Sequence, residues 1–168
     1  PPAGVVLFFQ GEPQSMRFVS TFSLQQAWRG APHILEYQVI RGEDDQGVRL
    51  IVNEVPYTGP LGAGALCVSR AVDPALGMLV TRFRPIEPSP QSFVLADRLA
   101  SCQFQYLEPP AGAERPVEKW VPLWVQATLP RGIRVEMVPL AASAARMPPI
   151  TVTVPVRVDR NLEMRYVD

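Results

Sequence analysis

Apolar and polar residues in this chain repeat with a period of two far more often than with a period near 3.6, which predicts strands rather than helices. Val5 to Gln10 is a continuous apolar run, too short for a helix and suited to a buried strand. Met16 and Phe18 alternate with Arg17 and Val19 over 15–22, giving a second strand that forms a hairpin with the first. From 33 to 41, Leu35, Tyr37 and Val39 face one way and form the better core face. Ile34, Glu36, Gln38 and Ile40 face the other. A charged connection at 41–47 leads to a return strand at 48–55. Further strands are predicted at 65–72, 77–84, 102–107, 131–138 and 150–158, and Pro155 puts the last of these on an edge or at a bulge.

Three stretches read differently. Residues 23–29 suit a short helical turn or a loop, with Trp28 placed to cover a sheet edge. Residues 56–64 read as a Pro/Gly loop. Residues 93–100 suit a short helix capped by Ser92, since Val94, Leu95, Arg98 and Leu99 would give it one apolar face with a charged flank. A strand over 93–97 is the competing reading. The prediction is a mostly β fold, antiparallel sheets of about nine or ten short strands with one or two short helices, in a single domain over 1–168. Loops are expected at 108–118 and 141–149.

Composition sharpens this picture. Nineteen prolines leave little room for long helices. The apolar fraction of 47% against 19% charged is that of a globular chain, and 168 residues suffice for a self-sufficient core. Sixteen basic and sixteen acidic side chains give no net charge, so nothing favours nucleic acid as a partner, and neutrality favours association. The chain starts Pro1-Pro2 without a leader or a long apolar run, and is expected to be part of a longer, processed protein.

Motifs for chemistry are sparse. His33, the single histidine, stands at a strand entry, not beside a nucleophile and a carboxylate as a triad requires. Asp44-Asp45 lacks the alternating ligands of a calcium loop, and Gly62 and Gly64 lack the Lys and following helix of a phosphate cradle. No catalytic, cofactor or metal residue is therefore assigned, and the chain is not expected to be an enzyme. Cys67 and Cys102 both sit in strand-like apolar surroundings, where two buried thiols or one disulfide are both open. Trp28, Trp120 and Trp124 are candidates for a carbohydrate or peptide platform. The last two, four apart, would share a face if extended, or cap one end of the core.

Several blocks together carry a resemblance: MRFVS at 16–20, ILEYQV at 34–39, LCVSR at 66–70, VLADRLASCQFQYLE at 94–108, and Trp120, Trp124, Leu129-Pro130 and Ile133-Arg134-Val135 in that order. The set resembles the minor pseudopilins of type II secretion systems, the J subunit in particular. The resemblance implies a pilin-like α+β protein held in the bacterial inner membrane by an N-terminal helix, its head in the periplasm. This chain would be that head, soluble once parted from the helix. The partners implied are the I-, K- and H-type minor pseudopilins at the tip of a short filament, with no cofactor, and with membrane contact only through the N-terminal helix. A head without its helix should expose an apolar patch, with Phe8, Phe9 and Trp28 as interface candidates. The alternative is a secreted or surface β-domain that binds a carbohydrate or a peptide.

Overall fold

A computed structural model describes residues 5–110, 117–140, 147–157 and 163–165. The alternating stretches form strands: β1 (Val5–Leu7), β2 (Phe9–Gly11), β3 (Ser15–Ser23), β4 (Trp28–Arg41), β5 (Val48–Pro56), β6 (Cys67–Asp73), β7 (Met78–Phe83), β8 (Phe93–Leu107), β9 (Trp120–Val121), β10 (Gly132–Pro139), β11 (Ile150–Pro155) and β12 (Glu163–Arg165). One helical turn, α1 (Pro60–Gly64), starts on a proline, and a 3-10 turn spans Glu43–Asp45. The fold is mostly β and antiparallel, as the alternation predicts. No helix among the described residues is long and apolar enough to cross a membrane. The loops expected at 108–118 and 141–149 fall largely outside the described residues.

The main sheet runs β11-β10-β8-β5-β4-β3-β2, with β9 on the free part of β8. The hairpin read from 33–41 and 48–55 forms in a continuous register from His33↔Pro56 to Arg41↔Val48. Its first strand is longer than predicted, since β4 starts at Trp28 and carries Pro32 within it. Among the described residues β6 and β7 pair only with each other, and β1 pairs with β12. The run at 5–10 is thus two strands in two sheets, with the chain crossing between them at Phe8.

The segment expected to be a helix at 93–100 is the first half of β8. The pairing of β8 shifts register at three places, two of which set which side chains reach the core. The first lies where Val48↔Leu99 gives way to Leu50↔Ala96, with Arg98 held at φ 56. The second drops Ala100, where Val138↔Ser101 is followed by Pro139↔Leu99. Each bulge inserts one residue and turns the next side chain to the other face. Ala96, Leu99 and Cys102 therefore all contribute to one core although they are three apart. A spacing of three is what a helix face would display. Ser92 caps no helix; its Oγ donates to Asn53 Oδ1 at 2.6 Å. The loop expected at 56–64 likewise holds the turn α1, with Gly62 and Gly64 in it.

The sheet curls until the turn between β2 and β3 meets β8. β8 offers one edge to β10 and the opposite edge to β5 at one end and β9 at the other. The turn between β2 and β3 comes against that divided edge: Phe104 N–H donates to Pro13 O at 2.8 Å, and Trp124 N–H to Gly11 O at 2.8 Å. The Tyr106 hydroxyl donates to Glu12 O at 2.9 Å. The enclosed core contains Met16, Val39, Leu50, Leu99, Cys102, Phe104, Tyr106 and Trp124. Burial pushes the Cys102 thiol from 9.0 up to about 11. Burial, and then the charge of Glu54, push Tyr37 from 10.0 up to about 12. The Tyr106 hydroxyl is also pushed up, chiefly by burial.

Two expectations follow. A Cβ at Gly11 would stand 2.8 Å from both Trp124 Cβ and the Tyr106 ring. Gly11→Ala should lower stability by about 1–3 kcal/mol through overpacking, read from the urea midpoint. Above about pH 9 the unfolded chain sheds protons that folded Cys102, Tyr37 and Tyr106 retain. The contribution of these groups should be flat from pH 7 to that pH and fall as pH rises toward the folded values, by about 1.4 kcal/mol per unit for each group between its unfolded and folded pKa. Urea midpoints from pH 7 to 11 check the fall, which Tyr37→Phe should make shallower.

Candidate functional site

The chemistry-bearing side chains gather on the outer face of the curled sheet. Strand register places Gln10 opposite Arg17, Arg17 opposite Glu36, and Glu36 opposite Asn53. These four form a polar row across β2, β3, β4 and β5. Arg17 is only 1% exposed. Its Nε donates to Glu36 Oε1 at 2.7 Å, its Nη1 to Gln10 Oε1 at 2.6 Å and its Nη2 to Arg84 O at 3.2 Å. The guanidinium also lies 5.7 Å from the Phe83 ring centre. Asn53 Nδ2 donates to Glu36 Oε2 at 3.3 Å and to Glu87 O at 3.1 Å. A cleft of about 910 Å³ opens beside the row, bounded by the 84–91 segment and by Glu54. Glu54 accepts from Ser23 Oγ, Leu24 N–H and Gln25 N–H, which fixes the turn before β4.

Every nitrogen of Arg17 and both oxygens of Glu36 are thus engaged by neighbouring groups. A catalytic acid, base or electrophile needs a face turned toward a substrate. This pair instead ties four strands to the 84–92 segment. In sequence, Glu36 falls on the face opposite Leu35, Tyr37 and Val39, and Arg17 alternates with Met16 and Phe18. The available signal was Ile34 on the face of Glu36, now buried with Phe8 and Ala63 in a second cluster.

The residues singled out from sequence separate widely. Phe8 is 2% exposed and meets Phe83 edge-on at 5.6 Å, while Phe9 packs edge-on to Tyr106 at 5.9 Å. The apolar patch expected around Phe8 and Phe9 is therefore taken up inside the molecule, because the crossing between sheets turns the two rings toward two different clusters. Trp28 is 65% exposed, its indole lying over Gly30 on its own strand. No disulfide joins Cys67 and Cys102. Cys102 faces the inside of the curl and Cys67 packs with the second cluster outside it.

The two later tryptophans form no platform. The strand ends at Val121, so Trp124 turns into the core and donates from Nε1 to Thr128 O at 2.6 Å. Trp120 lies under the Arg134 guanidinium, 3.9 Å from its ring centre. Asp44 and Asp45 are exposed in the 3-10 turn, where Asp45 pairs with Arg41 at 3.2 Å. His33 sits within β4, with Nδ1 buried and unpartnered among the described residues. Among those residues no group of three or more His, Cys, Asp or Glu side chains could hold a metal ion.

Removing one member of a buried pair strands the other, whereas replacing both with apolar groups removes the desolvation cost as well. Arg17→Met should therefore cost about 3–5 kcal/mol, and Arg17→Met with Glu36→Leu clearly less than the single change. Urea denaturation of both variants measures this, and equal losses would contradict the coupling. Comparison of the chain with protein-family models, with curated proteins and with solved structures gave no match.

Proposed function

We propose that this chain is the globular head of a minor pseudopilin of the J-subunit type, with a role in assembly rather than in catalysis. One observation carries the reading. The blocks that bear the resemblance are dispersed in sequence, yet most of them fold side by side. MRFVS lies on β3, ILEYQV on β4, VLADRLASCQFQYLE on β8, Trp120 on β9 and Ile133-Arg134-Val135 on β10. These strands belong to one sheet, in which only β5 intervenes. LCVSR, on the β6–β7 hairpin, lies outside it. A sequence pattern concentrated in the framework of a fold suits a subunit recognised by shape and surface, and it accounts for the engaged state of Arg17 and Glu36.

On this reading the complete protein is pilin-like α+β. An upstream apolar helix anchors it in the bacterial inner membrane, and the head stands in the periplasm beside I-, K- and H-type subunits. It requires no cofactor. The gene supplies the first test: a short basic leader, a cleavage site and about 20 apolar residues should precede this sequence. A conventional signal peptide would favour a secreted β-domain instead. The second test is physical. Heads of the I- and K-type pseudopilins from the same genome, mixed with this chain, should co-elute with it on size exclusion, and separate elution at every concentration tried would contradict the proposal.

A further inference from the structure

The β6–β7 hairpin is anchored at one end and stands away at the other. Phe83 packs against Phe8, and the register places Arg70 opposite Thr81 and Val72 opposite Leu79. With the period of two, Thr81 and Leu79 share the face of Phe83. That face therefore runs from an anchored ring, past Arg70, to Val72 and Leu79, which are 63% and 49% exposed. Beside it lies a groove of about 640 Å³. Six consecutive residues, 78–83, line one wall, and consecutive residues 123–127 line another. Successive side chains of a strand point to opposite faces, so a wall of consecutive residues is a strand edge. No strand among the described residues pairs with that edge of β7.

The charges in the groove are unequally engaged. Glu12 accepts from Gln10 Nε2 at 2.9 Å and from Ser15 Oγ at 2.7 Å. Asp73 accepts from Ala75 N–H and Leu76 N–H. Both carboxylates are thus committed within the fold. The arginines are less fully engaged: Arg82, its side chain 68% exposed, reaches Asp73 through a long ion pair of 3.8 Å, and Arg70 Nε is buried without a hydrogen-bond partner among the described residues. A buried guanidinium donor left unpaired is costly, and a carboxylate is its strongest acceptor.

We propose that this groove receives an extended segment of a partner protein, which adds as a strand to the edge of β7 and places an Asp or Glu carboxylate against Arg70. Main-chain bonds to the edge supply affinity, as in other strand additions. Val72 and Leu79 contact alternate apolar side chains of the segment, and Arg70, assisted by Arg82, selects the acid. The inference does not depend on membership of a pseudopilus, and its test uses no secretion component.

A phage-displayed library of random octapeptides, selected on the immobilised chain, reads the groove directly. Enrichment of alternating β-branched sequences with Asp or Glu at one fixed position is expected. The best synthetic peptide should bind Arg70→Met about tenfold or more weakly than the native chain. Its Glu→Gln counterpart should lose as much on the native chain and nothing further on Arg70→Met. Leu79→Asp, at an exposed position, should abolish binding while its circular dichroism stays native. N-methylation of the peptide at alternate positions should do the same. The proposal is overturned by the absence of an acidic consensus, by equal binding to Arg70→Met, or by tolerance of N-methylation. It is equally overturned if sedimentation shows a dimer of this chain that Leu79→Asp dissolves, because the occupant is then a second copy.

Discussion

The fold depends on the closure of the curled sheet at the turn between β2 and β3. Over four residues, Gly11 to Gln14, each carbonyl accepts a hydrogen bond from a distant part of the chain: Trp124 N–H, the Tyr106 hydroxyl, Phe104 N–H and Val39 N–H in turn. A strand edge buried without partners would cost several unsatisfied backbone groups. This turn supplies acceptors where β8 passes from β5 to β9, and it brings the aromatic rings of Phe9, Tyr106 and Trp124 over the end of the core. Gly11 is needed because those rings leave no space for a Cβ.

Closure gives the sheet two unlike faces. The inner one is apolar and continuous, and most of the hydrophobic stabilisation resides there. The outer one carries the row Gln10–Arg17–Glu36–Asn53, whose members are saturated by one another and by the 84–92 segment. The net energy of such a row is small, because desolvation offsets attraction. Its value is in register. A slip of one residue between β3 and β4 would drive Arg17 or Glu36 into the apolar interior, a displacement the sheet cannot absorb. The polar row therefore specifies which pairing of strands is native, while the core decides how stable that pairing is.

Much of the sheet was legible in the chain, and the reason is local. Where strands are regular, as in the hairpin of β4 and β5 or at 102–107, alternation carries the register outright. Where the backbone departs from regularity, pattern misleads: Val94, Leu95 and Leu99 read as one helix face, but Val94 and Leu95 are exposed on a bulged strand and Leu99 joins the core. The outer row was missed for a different reason. Glu36 falls on the face away from the predicted core, and one strand alone cannot show that a hairpin much later in the chain will cover it and Arg17. The fate of Phe8 and Phe9 was hidden in the same way, since the partners that bury them, Phe83 and Tyr106, come from far along the chain. Nor could spacing tell that Trp120 and Trp124 part, because that depends on where β9 stops.

The turn at 11–14 precedes in the chain every segment that donates to its carbonyls. The bond between Tyr106 and Glu12 spans 94 residues. At translation rates of about 5–20 residues per second, the earlier partner waits roughly 5–20 seconds for the later one. In that interval β2 to β5 can pair through short connections, but Met16, Tyr37, Val39 and Leu50 have no β8 to cover them. A chain in which β8 has not docked would leave that apolar face open to water, the kind of surface that favours aggregation. Closure is a non-local event that joins groups 94 residues apart in the chain.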